Sequence, residues 1–182
     1  EAAANTFFHK SAAELSLTEA ATLAGVLKAP TNYNPLTRPT ESAARTKLVL
    51  DAMADERRAF VDSILQRIAV RVGELYEMVH PSEGLSRIEL QLDPNKRSSL
   101  EIGANFPGAP DAPPQAFFSD SHLDTLGLCM FLALAELDDA KNKIVVLDDV
   151  LGSVDEPHVN RVVNMLYDIA SGFQHYLLTT HN

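Results

Sequence analysis

At 182 residues the chain can form one domain or two small ones, and it is long enough to bury a real core. Its 46% hydrophobic and 22% charged residues are ordinary for a soluble globular protein. The net charge of −10 argues against a broad phosphate-binding face, because nucleic-acid affinity rests on clustered Lys and Arg, so any DNA role would be indirect.

Glu1-Ala2-Ala3-Ala4 has no basic region ahead of an apolar one, so no signal peptide is expected. No apolar run reaches membrane-spanning length. The lone Cys129 lies within Leu128-Cys129-Met130-Phe131-Leu132 and reads as a packed core residue.

The first 56 residues are rich in Ala, Thr and Pro. Ser16-Leu17-Thr18-Glu19 is a capping box, and it predicts a helix through Lys28 with Ala20, Ala21, Ala24 and Val26 as its packing stripe. Ala29-Pro30-Thr31-Asn32-Tyr33-Asn34-Pro35 breaks that helix. Thr40 can cap a second helix, Glu41 to Asp55, with Ala44, Leu48 and Met53 near one face.

Three blocks in this stretch, Glu1 to Ser11, Leu17 to Gly25 and Lys28 to Pro35, resemble the end of a peptidoglycan glycosyltransferase domain, the transglycosylase module of class A penicillin-binding proteins. Arg45-Thr46-Lys47-Leu48-Val49-Leu50 is similar to that family's last motif, Arg-x-x-x-Val-Leu. The family's catalytic glutamates belong to earlier motifs, and Glu1, Glu14 and Glu19 do not stand in them. The resemblance implies a structural or substrate-side origin for Arg45, inert here.

A junction is expected near Ala54-Asp55-Glu56-Arg57, dividing the chain into segments 1–56 and 57–182. Arg58 to His80 reads as an amphipathic helix through Phe60, Ile64, Ile68, Val72, Leu75 and Val79. His80 reads as a helix-terminal residue, since no second His or Cys stands at ligand spacing. Arg87 to Asp93 alternates as a half-buried strand, Ser99 to Phe106 is a second, and an antiparallel pair is the natural arrangement. Pro107 to Pro114 reads as a Pro-rich loop, and His122 to Leu137 as a largely buried helix.

Ile144-Val145-Val146-Leu147 ends in Asp148 and Asp149 and reads as a strand buried on both faces of a parallel sheet. Two readings of the Asp pair stand side by side. One is a core strand turning at a polar pair. The other is a strand end that holds Mg²⁺ through one carboxylate, where open α/β sheets place ligands. Glu156 to Ser171 reads as an amphipathic helix and Gln174 to Thr180 as a further buried strand, giving a right-handed βαβ unit. His158 and His175 receive no role.

Taken in order, Phe118-Ser119-Asp120-Ser121-His122-Leu123-Asp124-Thr125-Leu126-Gly127-Leu128, the Asp148-Asp149 strand, Ser153-Val154-Asp155 and Leu177-Leu178-Thr179-Thr180-His181 resemble the C-terminal half of an ABC-type ATPase head of the SMC/RecF kind. The likeness is nearest to bacterial members linked to DNA repair. It implies an α/β fold that is part of a P-loop NTPase sheet. It also implies Asp148 as the Walker B ligand of Mg²⁺, Asp149 as catalytic base and His181 as the switch histidine near the γ-phosphate. Ser119 and Ser121 would stand in the ATP-binding signature and Asp155 in the D-loop. In the same terms Arg58 to His80 would be the end of a coiled-coil arm, beside the plainer reading of a core-facing helix.

Ser121 stands where the signature normally has Gly, and Asp149 is one methylene shorter than the usual Glu. No Gly-x-x-x-x-Gly-Lys-Ser/Thr occurs among these residues, whose eight glycines are scattered singly. The expected partner is therefore a Walker A-bearing segment or a head-to-head dimer partner, with weak ATP binding or none by this chain alone. The ATPase likeness implies a cytoplasmic setting, whereas the glycosyltransferase family is membrane-bound and works outside it. One natural chain has little reason to hold both, which points to a chimera of two truncated genes or an assembly artefact.

Overall fold

The computed structural model describes residues 1–81, 83, 88–93, 96, 99–106 and 109–180. Their contacts divide the chain into two units, Glu1–Val61 and Asp62–Asn182.

In the first unit, α1 (Ala2–Phe8) and α2 (Leu17–Lys28) precede the start of α3 (Pro39–Val79). The capping box at the head of α2 is formed, with Ser16 and Glu19 each satisfying the other's backbone N–H. Glu19 also takes an ion pair from Lys10 at 2.8 Å. The packing stripe differs from the expected one: Ala20 and Ala24 are exposed, while Ala21, Gly25 and Val26 are buried. The facing residues on α3 are the buried Ser42 and Thr46 rather than Ala44, Leu48 and Met53, which point outward.

Small residues explain this contact. The Thr22 and Thr46 hydroxyls meet at 2.9 Å. A Cβ added at Gly25 would lie 3.0 Å from Arg45 Cγ. The two helices approach too closely there for larger apolar side chains.

The expected pair of helices, Glu41–Asp55 and Arg58–His80, is a single 41-residue helix. Pro39 opens it, a position where the missing N–H costs nothing, so Thr40 lies inside the first turn instead of capping it. From Thr40 to Val72 the sequence has no Gly or Pro, and the stretch around the expected junction consists of good helix formers.

In the second unit, the last turns of α3 bury Leu65, Ile68, Val72, Leu75, Tyr76 and Val79 along one face. The strands β1 (Ile88–Leu92) and β2 (Leu100–Phe106) pair antiparallel as expected, with Leu90 opposite Ile102. The stretch read as a Pro-rich loop contains β3 (Ala109–Ala112), antiparallel to β2 and at the sheet edge. An edge strand tolerates Pro110 because one of its sides needs no ladder hydrogen bond.

Ser119 then caps α4 (Asp120–Glu136), which buries Leu126, Cys129, Leu132 and Ala133. Burial pushes the Cys129 thiol up to about 12, as expected of a packing residue. The strands β4 (Ile144–Asp148) and β5 (His175–Thr179) pair in parallel, with α5 (Glu156–Ala170) between them in sequence. α5 buries Val162, Met165, Leu166 and Ile169.

Contrary to expectation, β4 is not buried on both faces. Val145 and Leu147 are buried, whereas Ile144 is 63% and Val146 54% exposed. Leu177 on β5 is likewise exposed. The all-apolar run satisfies a two-sided pattern, but among the described residues only one side is covered.

Polar links tie the helices of this unit together. Arg71 makes a two-pronged ion pair with Glu136, at 2.6 and 3.0 Å. Arg161 Nη1 donates to the carbonyl of Val79 at the C-terminus of α3. No helix among the described residues is long and apolar enough to cross a membrane.

Candidate functional site

Asp148 is the last residue of β4 and lies opposite Thr179, the last of β5. The Thr179 hydroxyl donates to Asp148 Oδ1, so the neighbouring strand fixes this carboxylate. The pairing continues one step further, where the Asp149 amide donates to the Thr179 carbonyl at 3.1 Å. Asp149 then turns through the left-handed region at φ 52°, which Asp tolerates better than most residues. Its carboxylate lies over the following turn: a Cβ added at Gly152 would be 3.7 Å from either oxygen. Asp148 and Asp149 are both exposed.

Asp148 lines a cleft of about 400 Å³ together with Asp124, Leu128, Phe131, Val146 and Ser153. Asp124 comes from α4 and was not singled out from the sequence. The donor set here is carboxylate and hydroxyl oxygen, the hard-ligand chemistry that suits Mg²⁺. Asp148 fits the part of a single carboxylate ligand.

Ser119 and Ser121, the residues that resemble a signature motif, sit at the N-terminus of α4. The Ser119 hydroxyl accepts the His122 amide, as an N-cap should. Ser121 is buried, and its hydroxyl accepts the Asp155 amide at 3.0 Å. The structure therefore brings Ser121 and Asp155 together, joining the start of α4 to the residue that precedes α5. This bond gives Ser121 a local structural task that a glycine could not perform. His181 lies outside the described residues.

A second cluster was missed. His80 directly follows α3, His122 is in the first turn of α4 and His158 in the first turn of α5. All three converge on Glu83. His80 Nδ1 is 3.0 Å from Glu83 Oε1, His158 Nε2 is 3.5 Å from the same oxygen, and His122 Nε2 is 2.9 Å from Oε2. The imidazole of His80 stacks on His122 with ring centres 4.5 Å apart, and lies 4.3 Å from His158. Tyr76 also stacks on His80, at 4.7 Å.

His80 stands just past the end of α3, as expected, but ligand-type side chains surround it. Its neighbours are remote in sequence, and three helix ends assemble them. His80 is 0% exposed, and burial holds its pKa below the usual range. Burial pushes the Glu83 carboxyl up, but hydrogen bonds and charge from His80 and His122 outweigh it and hold the group below its ordinary value. His122 Nδ1 lies 2.6 Å from Ser119 Oγ, so Ser119 and Glu83 share one imidazole.

In the first unit Glu1, Glu14 and Glu19 serve local structure. Glu14 closes a capping box with Ser11, Glu19 closes one with Ser16, and Glu1 accepts the Ala12 amide. Hydrogen bonds from Ser11 hold Glu14 below the usual carboxylate range, and the Lys10 bond brings Glu19 to about 2. Arg45 lies over the Tyr33 ring at 6.0 Å, a packing role.

Comparison with known proteins gives two likenesses. Residues 1–54 match the Transglycosylase family model. Penicillin-binding protein 1A of Pseudomonas aeruginosa is 41% identical over 70 residues, which is 38% of this chain and 8% of that protein. Its counterpart in Neisseria gonorrhoeae is 44% identical over 55 residues, 30% of this chain and 7% of that one. The chain thus spans less than a tenth of these relatives.

Among solved structures, the Smc head domain with a coiled coil and joint from Pyrococcus yayanosii superposes with a TM-score of 0.56 at 19% identity, over 78% of this chain and 26% of that one. The Smc head domain with an extended coiled coil from Pyrococcus furiosus, bound to the C-terminal domain of ScpA, gives 0.55 at 16% identity, over 91% and 41%. A structure from work on ATP-driven dimerization and DNA-stimulated activation of SMC ATPases gives 0.54 at 18%, over 69% and 73%. The chain joins a transglycosylase-like N-terminal segment to an α/β fold similar to SMC ATPase heads.

Proposed function

We propose that residues 57–182 act as the C-terminal half of an SMC-type ATPase head, in a cytoplasmic assembly associated with DNA repair. The observation that carries this reading is the position of Asp148 at the C-terminal end of a parallel strand pair, fixed by Thr179 and opening on a cleft. Asp148 would hold Mg²⁺, which neutralises phosphate charge when bound. Asp149 would orient the attacking water and take its proton as the bond from the γ-phosphorus to ADP breaks. Ser119 would act across a dimer on the partner's nucleotide, with Ser121 and Asp155 bracing that loop, and His181 would sense the γ-phosphate.

The phosphate cradle must come from a Walker A-bearing segment. The exposed apolar residues Ile144, Val146 and Leu177 give such a segment a surface to cover. The test is calorimetric titration of Mg·ATP into this chain with and without a Walker A-bearing SMC N-terminal lobe, for wild type and Asp148→Ala.

The transglycosylase reading rests on residues 1–54. The family's catalytic glutamates belong to earlier motifs, and Glu14 and Glu19 here close capping boxes, so this segment is read as an inactive end of that domain. A chimeric origin accounts for both likenesses. An intact reading frame spanned by single long genomic reads would count against an assembly artefact.

A further inference from the structure

The cluster of His80, Glu83, His122 and His158 lies outside the catalytic roles proposed above. We infer that His80, Glu83 and His158 form a binding site for a divalent transition metal of the zinc class, with His122 holding the second oxygen of Glu83. Two neutral imidazoles and one carboxylate are a nitrogen-rich donor set, which suits Zn²⁺ better than Mg²⁺ or Ca²⁺. A ligand atom from each of the three residues lies within 4.8 Å of the others.

Two of the three ligand separations suit an ion. Ligands at ~2.0–2.1 Å from a tetrahedral zinc are separated by ~3.3 Å. Glu83 Oε1 is 3.0 Å from His80 Nδ1 and 3.5 Å from His158 Nε2, which brackets that separation. His122 Nε2, at 2.9 Å from Oε2, orients the carboxylate in the manner of an outer-shell partner. The fourth coordination position is left to water or an exogenous ligand.

Hydrogen bonding to Glu83 does not complete the network. The ion would take His80 Nδ1 and His158 Nε2; the other ring nitrogens, His80 Nε2 and His158 Nδ1, are buried without a hydrogen-bond partner among the described residues and would not be satisfied by it. A bound cation would join the C-terminal end of α3 to the N-termini of α4 and α5.

The experiment uses the full chain, stripped with a chelator and then titrated with Co²⁺ and Zn²⁺ without nucleotide. Visible absorption reports Co²⁺ coordination, and competition with a chromophoric chelator gives zinc affinity. One ion per chain is expected, with Zn²⁺ displacing Co²⁺. His158→Ala and Glu83→Gln should each weaken binding at least about 100-fold, and His122→Asn about tenfold. His175→Ala, at the exposed start of β5, should change nothing.

Circular dichroism checks the fold of each variant, and Glu83→Gln preserves shape if a histidine variant misfolds. Absence of stoichiometric binding would overturn the assignment. So would equal affinity in wild type and folded Glu83→Gln, or equal loss in His175→Ala. The test contains no ATP, so its outcome is separate from that of the nucleotide reading.

Discussion

Replacing Ser121 with glycine, the residue usual at this point of the signature, should loosen the joint between α4 and α5. The Ser121 hydroxyl is buried and accepts the Asp155 amide at 3.0 Å. Losing such a hydrogen bond costs about 0.5–1.5 kcal/mol. Glycine in the first turn of a helix adds up to ~1 kcal/mol relative to alanine. Ser121→Ala should therefore cost about 1 kcal/mol and Ser121→Gly about 1–2 kcal/mol.

The sharpest assay is native-state hydrogen exchange at the Asp155 amide, with urea unfolding followed in parallel. About 1 kcal/mol corresponds to roughly fivefold faster exchange when local opening controls it. Both variants should show that increase at Asp155, and the glycine variant should also unfold at lower urea. Unchanged Asp155 exchange in both would refute the claim that this hydroxyl holds the two helices together.

Leu132→Ala, at a fully buried position of α4, should cost about 2–5 kcal/mol by leaving a cavity, read as a lower urea midpoint for the second unit; a cost below about 1 kcal/mol would contradict its place in the core. Glu19 has its carboxyl lowered from 4.5 to about 2, first by the Lys10 bond and then by the bonds of its capping box. Its contribution is complete above pH 4.5 and fades as the pH falls toward 2. Thermal melts of wild type and Glu19→Gln should converge across that window, and added salt should shrink the difference because Lys10 holds its end of the pair in solvent. A wild-type advantage independent of pH would show that the ion pair does not stabilise α2.

Local chemistry made several elements readable from sequence. Ser16 and Glu19 announce the start of α2, because a capping box needs only four consecutive residues. The alternation of Ile88 to Leu92 and the second apolar run after it give the β1–β2 pair. Ile144 to Asp148 followed by an amphipathic helix gives the parallel β4–β5 unit.

Features set by the environment of a segment were not readable. An all-apolar strand does not reveal which of its faces is covered, so the exposure of Ile144 and Val146 had no local signal. The inward face of α3 in the first unit is set by close approach at Gly25, Ser42 and Thr46, where small size matters more than hydrophobicity. Proline hid β3 because strand content was judged without knowing that the strand is an edge.

The candidate site shows the same division. Asp148 follows directly from its strand, but the hydroxyl contact from Thr179 depends on the parallel register. Ser121 was singled out as a departure from the signature, while its bond to Asp155 required the fold. The histidine cluster had no sequence signal at all. His80, His122 and His158 stand at the ends of separate helices, and only the packing of those helices brings them to one carboxylate.

The claim at the centre of this account is that Asp148 belongs to half of a nucleotide site, completed by a Walker A segment. Calorimetry of Mg·ATP tests it most directly. The chain alone should show no saturable binding at millimolar ATP. Adding a Walker A-bearing SMC N-terminal lobe should produce saturable binding tighter than that of the lobe alone, and Asp148→Ala should abolish that gain. Saturable binding by the chain alone, or a gain that survives Asp148→Ala, would contradict it.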